Sequence, residues 1–413
     1  MSLKIQATLK EATPWALLFV EASLDIPVSE RMGLFLWGPP GIGKSDWVKD
    51  FQPLYRDLLI KKGLLEPLPQ PAQQSNDTGP IFPQIGFIDT RLASLEASDA
   101  SGIPYPNEDR TRATWLRPEF FPDEQRDGKF GIHFLDEFAN AHPSVQNSMY
   151  GYILNGLIAV SGIRKPNGWM SFAASNRVTD RGRTFALPAP LANRFVHIEL
   201  MASYDGWREW AINHKVHPLV IGYLGHMTSH LAPEIKEIED LRAFPTPRTW
   251  VMVSKLLWLK SDKNGSISTD DLSKLEGLIH GCVGSGAATT FIAFARVSNE
   301  LVDPIRVLEG EDVKFENMQE GGKGLQAAHA LITACIYRIQ TQTEQDKFKK
   351  WTLNFGRYVT KLPIDLCARA MTDLFMNSKT FSVISKDNGP ILEWGYKNHD
   401  KVQAIAEKIK DIK

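Results

Sequence analysis

The sequence predicts an α/β fold: a parallel sheet sandwiched by helices, followed by an all-helical half. Three observations predict it. Short apolar runs that end in glycine, proline or carboxylates recur through the first two hundred residues, alternating with stretches of helical spacing. The strand signal stops near residue 203, and helical patterns follow. The chain has 413 residues, of which 43% are hydrophobic and 23% charged. That is a globular balance, with room for two or three domains and a large core needing no disulfide staples.

Residues 7–25 carry apolar positions at three- and four-residue steps and predict a helix, kinked near Pro14. Leu34–Trp37 is a short apolar run closed by Gly38 and Pro39, as expected of a buried strand. Asp46–Lys62 predicts a helix. Leu65–Pro83, rich in Pro, Gln and Ser, predicts a flexible insertion. Ile85–Asp89 is a second strand. Residues 102–128 are rich in Pro, Arg and aromatics and predict irregular structure. Gly131–Leu135 is a third strand, ending in Asp136 and Glu137, and Ser144–Leu154 a helix. Leu157–Val160 and Trp169–Ala173 are extended, the latter ending at Ser175 and Asn176. Phe195–Leu200 is the last strand. In the helical half, residues 260–271 and 320–324 are polar turns, and Val402, Ile405, Ile409 and Ile412 recur at helical spacing in a charged tail.

Composition excludes several classes. Basic and acidic residues balance at 47 against 48, so the chain lacks the global charge of a nucleic-acid coat. The three cysteines, Cys282, Cys335 and Cys367, lie far apart, without the spacing of a disulfide framework or a structural zinc site. No apolar run approaches a membrane span, and the first fifteen residues lack a leader's apolar region. The expectation is a soluble, cytoplasmic protein.

Gly38-Pro39-Pro40-Gly41-Ile42-Gly43-Lys44-Ser45 fits G-x-x-x-x-G-K-[ST], with an apolar strand before it and a helix after it. The glycines let backbone N–H groups turn inward around phosphate oxygens, and the helix N-terminus adds positive charge. Lys44 is placed to reach the β- and γ-phosphates of ATP, and the Ser45 hydroxyl to ligate Mg²⁺. Asp136 and Glu137 close a strand at the carboxyl edge of the sheet, where such folds bind ligands. The expectation is Asp136 on Mg²⁺ and Glu137 as general base for the attacking water. An Asp-Glu pair before a helix is also a common N-cap; the upstream phosphate loop favours the catalytic reading. Asn176, at another strand end, could bond both γ-phosphate and water, or simply form a turn. Arg183, Arg194 and Arg248 are candidates for transition-state charge, since a guanidinium is always charged and forks onto two oxygens. Spacing does not choose among these three.

Taken together, these residues resemble the MoxR family of AAA+ ATPases, within the wider group of dynein-, midasin- and McrB-type modules. The resemblance runs in order through GPPGIGKS, FIDTRLASLEASDASGIP, TWLRPEFFP, HFLDEFANAHPSVQNSMYGYILNG, GWMSFAASNR, LPAPLANRF and FPTPRTW, over roughly residues 1–300. It implies that Gly38–Ser45 is the Walker A loop and Asp136 and Glu137 the Walker B pair. It implies that Asn176 is sensor 1 and that Arg194 is the finger reaching a neighbouring subunit's nucleotide, with Arg183 its rival. It implies that Arg248 is sensor 2 on a helical lid. It further implies a ring, expected as a hexamer, that remodels or matures a client such as a von Willebrand factor A or metallopeptidase-like protein. Inserts at Pro104–Pro122 and around Gly156–Gly168 would sit at the face or pore of the ring. The implied domains are 1–202 for the nucleotide-binding α/β part, 203–305 for the lid and 306–413 for a helical extension of unassigned role.

Two rival functions remain open. One is an ATPase acting on DNA, for which Thr111–Arg117 is the candidate basic and aromatic stripe. The other is a small-molecule P-loop kinase, which would need no arginine from a neighbour.

Overall fold

The computed structural model describes residues 6–67, 85–177, 180, 184–234, 238, 242–299, 303–313, 324–387 and 390–398. Backbone contacts divide the chain into two compact units. One is Met1–Gly206 with Glu234–Glu239; the other is Trp207–Pro233 with Asp240–Lys413. The insertion predicted within 65–83 and the tail after Asn398 lie largely outside the described residues.

Among the described residues the first unit has ten strands: β1 (Gln6–Ala7), β2 (Gly33–Trp37), β3 (Gly86–Arg91), β4 (Ile103–Pro106), β5 (Ala113–Leu116), β6 (Phe130–Asp136), β7 (Leu157–Ile158), β8 (Ile163–Arg164), β9 (Gly168–Ser175) and β10 (Phe195–Leu200). Six form one sheet in the order β1-β10-β2-β9-β6-β3, and every pairing in it is parallel. The helices are α1 (Leu9–Leu24), α2 (Lys44–Lys61), α3 (Ala97–Ser101), α4 (Glu124–Asp127), α5 (Pro143–Asn155) and α6 (Ala189–Ala192).

Strand alternation explains the layering. Leu34, Leu36, Ile132, Phe134, Met170 and Phe172 face one way and pack with Val48, Phe51 and Tyr55 of α2 and Val20 of α1. Phe35, Leu135 and Ala173 face the other way and pack with Val145, Met149 and Tyr152 of α5. The expected sandwich of helix, parallel sheet and helix is therefore present, followed by a helical C-terminal part. Thr8 caps α1 in a reciprocal capping box with Glu11, and Pro14 lies in the helix without ending it.

One cross-strand row needs glycine. Gly86, Gly131 and Trp169 are register partners across β3, β6 and β9. A Cβ at Gly131 would stand 2.5 Å from the indole ring, and so would one at Gly86. The two glycines leave a flat bed for Trp169, whose Nε1–H donates to Gly128 O at 2.9 Å.

Two expectations need correction. β1 is an unpredicted edge strand of two residues pairing with β10. Residues 102–128 are not wholly irregular. β4 and β5 form an antiparallel hairpin, with Ile103 opposite Leu116 and Tyr105 opposite Thr114, and α4 follows. The hairpin that the resemblance implies around Gly156–Gly168 is present as β7–β8, with Leu157 opposite Arg164.

In the second unit, one core centres on Trp250, which packs against Tyr223 and Phe291 at ring distances of 5.3 and 5.5 Å. Another gathers Leu331, Cys335, Phe355, Val359 and Met371. Arg208 and Asp373 form an ion pair within it.

Each unit buries a neutral histidine. His133 on β6 is enclosed between Tyr152 OH at 2.8 Å and Thr90 Oγ1 at 3.0 Å. His217 faces Ser261 Oγ at 2.9 Å. Burial pushes each down to about 3, helped at His133 by the Lys165 charge and opposed at His217 by Asp262. The unfolded chain takes up these protons near pH 6.5, whereas the folded one refuses them. Stability should therefore fall as pH drops from 6.5 towards 4, by up to about 1.4 kcal/mol per pH unit for each histidine. Urea unfolding across that range checks this, and His217→Asn should flatten the slope. An unchanged slope in that variant contradicts the assignment.

Candidate functional site

The phosphate loop leaves β2 at Trp37 and enters α2 at Lys44. Its turns use the left-handed region at Gly41 (φ 73°) and Gly43 (φ 100°), which a side chain would strain. Gly38 is held close to two strands. Its N–H donates to Ser175 O at 3.2 Å. A Cβ there would meet Leu200 O at 3.0 Å. Pro39 and Pro40 stiffen the loop, and Ile42 anchors it in the core.

Lys44 is buried, and its Nζ donates to Gly38 O at 2.7 Å, Pro39 O at 3.1 Å and Asn176 Oδ1 at 3.2 Å. The Ser45 hydroxyl donates to Asp136 Oδ2 at 3.1 Å. The second oxygen, Asp136 Oδ1, accepts the Glu137 N–H at 2.9 Å. Glu137 is exposed and sits at φ 56°, ψ 34°, a left-handed conformation unusual for a non-glycine residue.

Topology explains this convergence. β9 lies between β2 and β6, so Asn176 at its carboxyl end stands between the phosphate loop and the acidic pair. The structure thus brings Lys44, Ser45, Asp136, Glu137 and Asn176 to one edge of the sheet. Ser45 and Asp136 form a hard oxygen pair, the donor type that suits Mg²⁺.

Arg194 lies elsewhere in the same unit. Arg194 precedes β10, at the opposite end of the strands from the phosphate loop, and is half-buried. Its backbone carbonyl accepts from Gly33 N–H at 2.9 Å. Arg248 is exposed in the first turn of the helix Pro247–Trp258, in the second unit. Arg183 lies outside the described residues.

Three groups at this edge carry no role in the sequence reading. Asp89 on β3 is raised above the usual carboxylate range by burial first and by Asp136 next, with Lys49 and Arg91 opposing. Arg177, next to Asn176, forms ion pairs with Asp180 at 2.9 Å and Glu199 at 3.3 Å, which fixes the chain after β9. Asn140 Oδ1 accepts from Ser175 Oγ at 2.8 Å. A carboxylate closing the strand read from the sequence at 85–89 was the available signal for Asp89, although β3 itself runs on to Arg91. Nothing in the sequence marked Asn140.

A phosphate loop joining the first long strand to its helix, in a parallel sheet with helices on both faces, defines an α/β P-loop fold. No protein-family profile matches the chain, and no curated protein is significantly similar to it. Among solved structures, a point mutant of Thermotoga maritima RuvB is similar at 16% identity over 75% of this chain and 83% of its own, with a TM-score of 0.31. Brucella abortus NtrX is similar at 12% identity over 96% of this chain and 68% of its own, with a TM-score of 0.28. Likenesses this distant carry no functional weight, so the class rests on the chain's own geometry.

Proposed function

We propose that the protein is an ATP-hydrolysing AAA+ ATPase of MoxR type that works as a ring, expected to be a hexamer, and remodels or matures a partner protein. The observation that carries this reading is the meeting of Lys44, Ser45, Asp136, Glu137 and Asn176 at one sheet edge. Loop N–H groups from Gly38 to Gly43 and the start of α2 bind the phosphates. Lys44 neutralises the β- and γ-phosphates. Ser45 and Asp136 hold Mg²⁺, which when bound offsets phosphate charge. Glu137 accepts the proton of the attacking water, and Asn176 orients that water. ATP and water become ADP and inorganic phosphate. Arg194 serves a neighbour's nucleotide, and Arg248 reports γ-phosphate from the lid. The working division remains 1–202, 203–305 and 306–413, in a cytoplasmic protein. Among the described residues, no helix is long and apolar enough to cross a membrane. The client is of the von Willebrand factor A or metallopeptidase-like kind.

The alternative is an ATPase acting on DNA. Its stripe at 111–117 includes strand β5, and Arg117 there is already tied to Asp123 at 3.1 Å. Stimulation of turnover by DNA would favour it.

Lys44→Ala tests the core of the reading. Removing the cation should abolish ATP binding or turnover, read by a fluorescent ATP analogue and by phosphate release. Unchanged turnover would overturn the phosphate-loop assignment.

A further inference from the structure

At the end of the sheet opposite the phosphate loop, a pocket of about 590 Å³ opens between the segment after α1, the start of β6, the end of α5 and the β8–β9 connection. Its charge is one-sided. Arg31, Lys129, Arg164 and Lys165 line it, against a single carboxylate, Asp25. That carboxylate already has a partner, Lys62 Nζ at 3.3 Å.

The cations are graded in depth. Lys129 and Arg164 are exposed, whereas Arg31 and Lys165 are only 4% and 5% exposed. Arg31 donates to Ile26 O and Asn167 O, both at 2.7 Å, so its guanidinium braces two walls. Those partners are neutral carbonyls, and its buried Nε has no partner. Lys165 Nζ donates to Ser171 Oγ at 2.9 Å and lies 5.2 Å from the Tyr152 ring centroid. Among the described residues neither forms an ion pair. Burial first, and then the Arg31 charge, lowers Lys165 to about 7. An enclosed guanidinium without a counter-ion, beside an amine that burial brings to about 7, is an unfavourable arrangement that an anion relieves.

Part of the remaining wall is apolar, with Ser29, Asn155 and Asn167 also on it. Ile26 and Leu64 line the pocket and are 38% and 46% exposed, and Phe130 lies beside them. Large apolar side chains left in water next to cations suit a ligand with an anionic head and an apolar body.

We propose that this pocket binds a small organic anion, its phosphate or carboxylate against the Arg31, Lys129, Arg164 and Lys165 side and its apolar body on Ile26, Leu64 and Phe130. The site is separate from the nucleotide site: β9, with eight residues, holds the two ends about 25 Å apart.

The test uses the full chain carrying Lys44→Ala, so that the phosphate loop does not dominate anion binding. Thermal unfolding is followed against phenyl phosphate, benzoate, inorganic phosphate and benzyl alcohol. A saturable rise in unfolding temperature is expected with phenyl phosphate or benzoate, identifying the head preferred. Inorganic phosphate should act more weakly and benzyl alcohol not at all. Lys129→Gln with Arg164→Gln changes only exposed side chains and should weaken the effect roughly tenfold or more, one lost charge contact being worth about that factor. Absence of a saturable rise with both organic anions, or a rise untouched by the double substitution, overturns the proposal. An equal response to benzyl alcohol does the same. None of these outcomes depends on whether the phosphate loop hydrolyses ATP.

Discussion

Glu137→Gln should bind ATP and Mg²⁺ as the parent does, yet turn over at least about a hundredfold more slowly. The amide keeps the shape of the side chain and loses only its capacity to take a proton, a step worth about 10² to 10⁴ in rate. Glu137 is exposed, and its backbone N–H is fixed on Asp136 Oδ1, so the substitution leaves Lys44, Ser45 and Asp136 with their contacts. Binding is read by titration with a fluorescent ATP analogue, turnover by phosphate release. If the variant fails to bind nucleotide at all, Glu137 is a structural residue and the acidic pair has been misread.

Arg194→Ala should also bind ATP almost normally while losing about 10³ to 10⁵ in turnover, the value of a supplied arginine in phosphoryl transfer. Arg194 stands before β10, and Phe195 is the register partner of Gly33, at the far end of β2 from the loop. Five residues of β2 span about 17 Å, beyond an arginine's reach along its own subunit. A guanidinium there cannot reach its own subunit's loop, so the proposed role requires a neighbour's nucleotide. Mixing Arg194→Ala with Lys44→Ala should therefore restore some turnover, because the Lys44→Ala subunit lends its Arg194 to an intact loop. The gain should be modest, since only some interfaces pair correctly. Normal hydrolysis by Arg194→Ala, or full activity in a monomer, rejects the finger. Rescue that fails here and succeeds for Arg183 moves the role to Arg183 and keeps the ring.

The long central strands were readable because a strand buried on both faces of a parallel sheet is a continuous apolar run, as Leu34–Trp37 and Gly131–Leu135 are. The relative positions of Lys44 and Ser45 followed because a motif fixes its own local geometry, whereas Asp136 reaches them through the strand order of the sheet. β1 could not be read, since two residues show no period. The β4–β5 hairpin was hidden for a different reason. Ile103, Tyr105 and Leu116 are all exposed, and Pro104 and Pro106 interrupt the pattern, so no buried face imposes alternation. Asp89 escaped because its environment comes from Asp136 on a neighbouring strand and from Lys49 on α2, both distant in sequence. The separation of Arg194 from the loop is likewise a matter of topology, which residue spacing along the chain does not encode.

Lys44 has one more consequence. Its ammonium already rests among three oxygens, two from loop carbonyls and one from Asn176. A phosphate arriving there displaces a shell instead of filling a void, so the gain is the difference between two sets of charge-assisted bonds. That difference moderates affinity. It also gives a departing anion a substitute within ångströms, so leaving never strands a naked cation in the interior. A site furnished in this way favours rapid exchange of a phosphate over its tight retention.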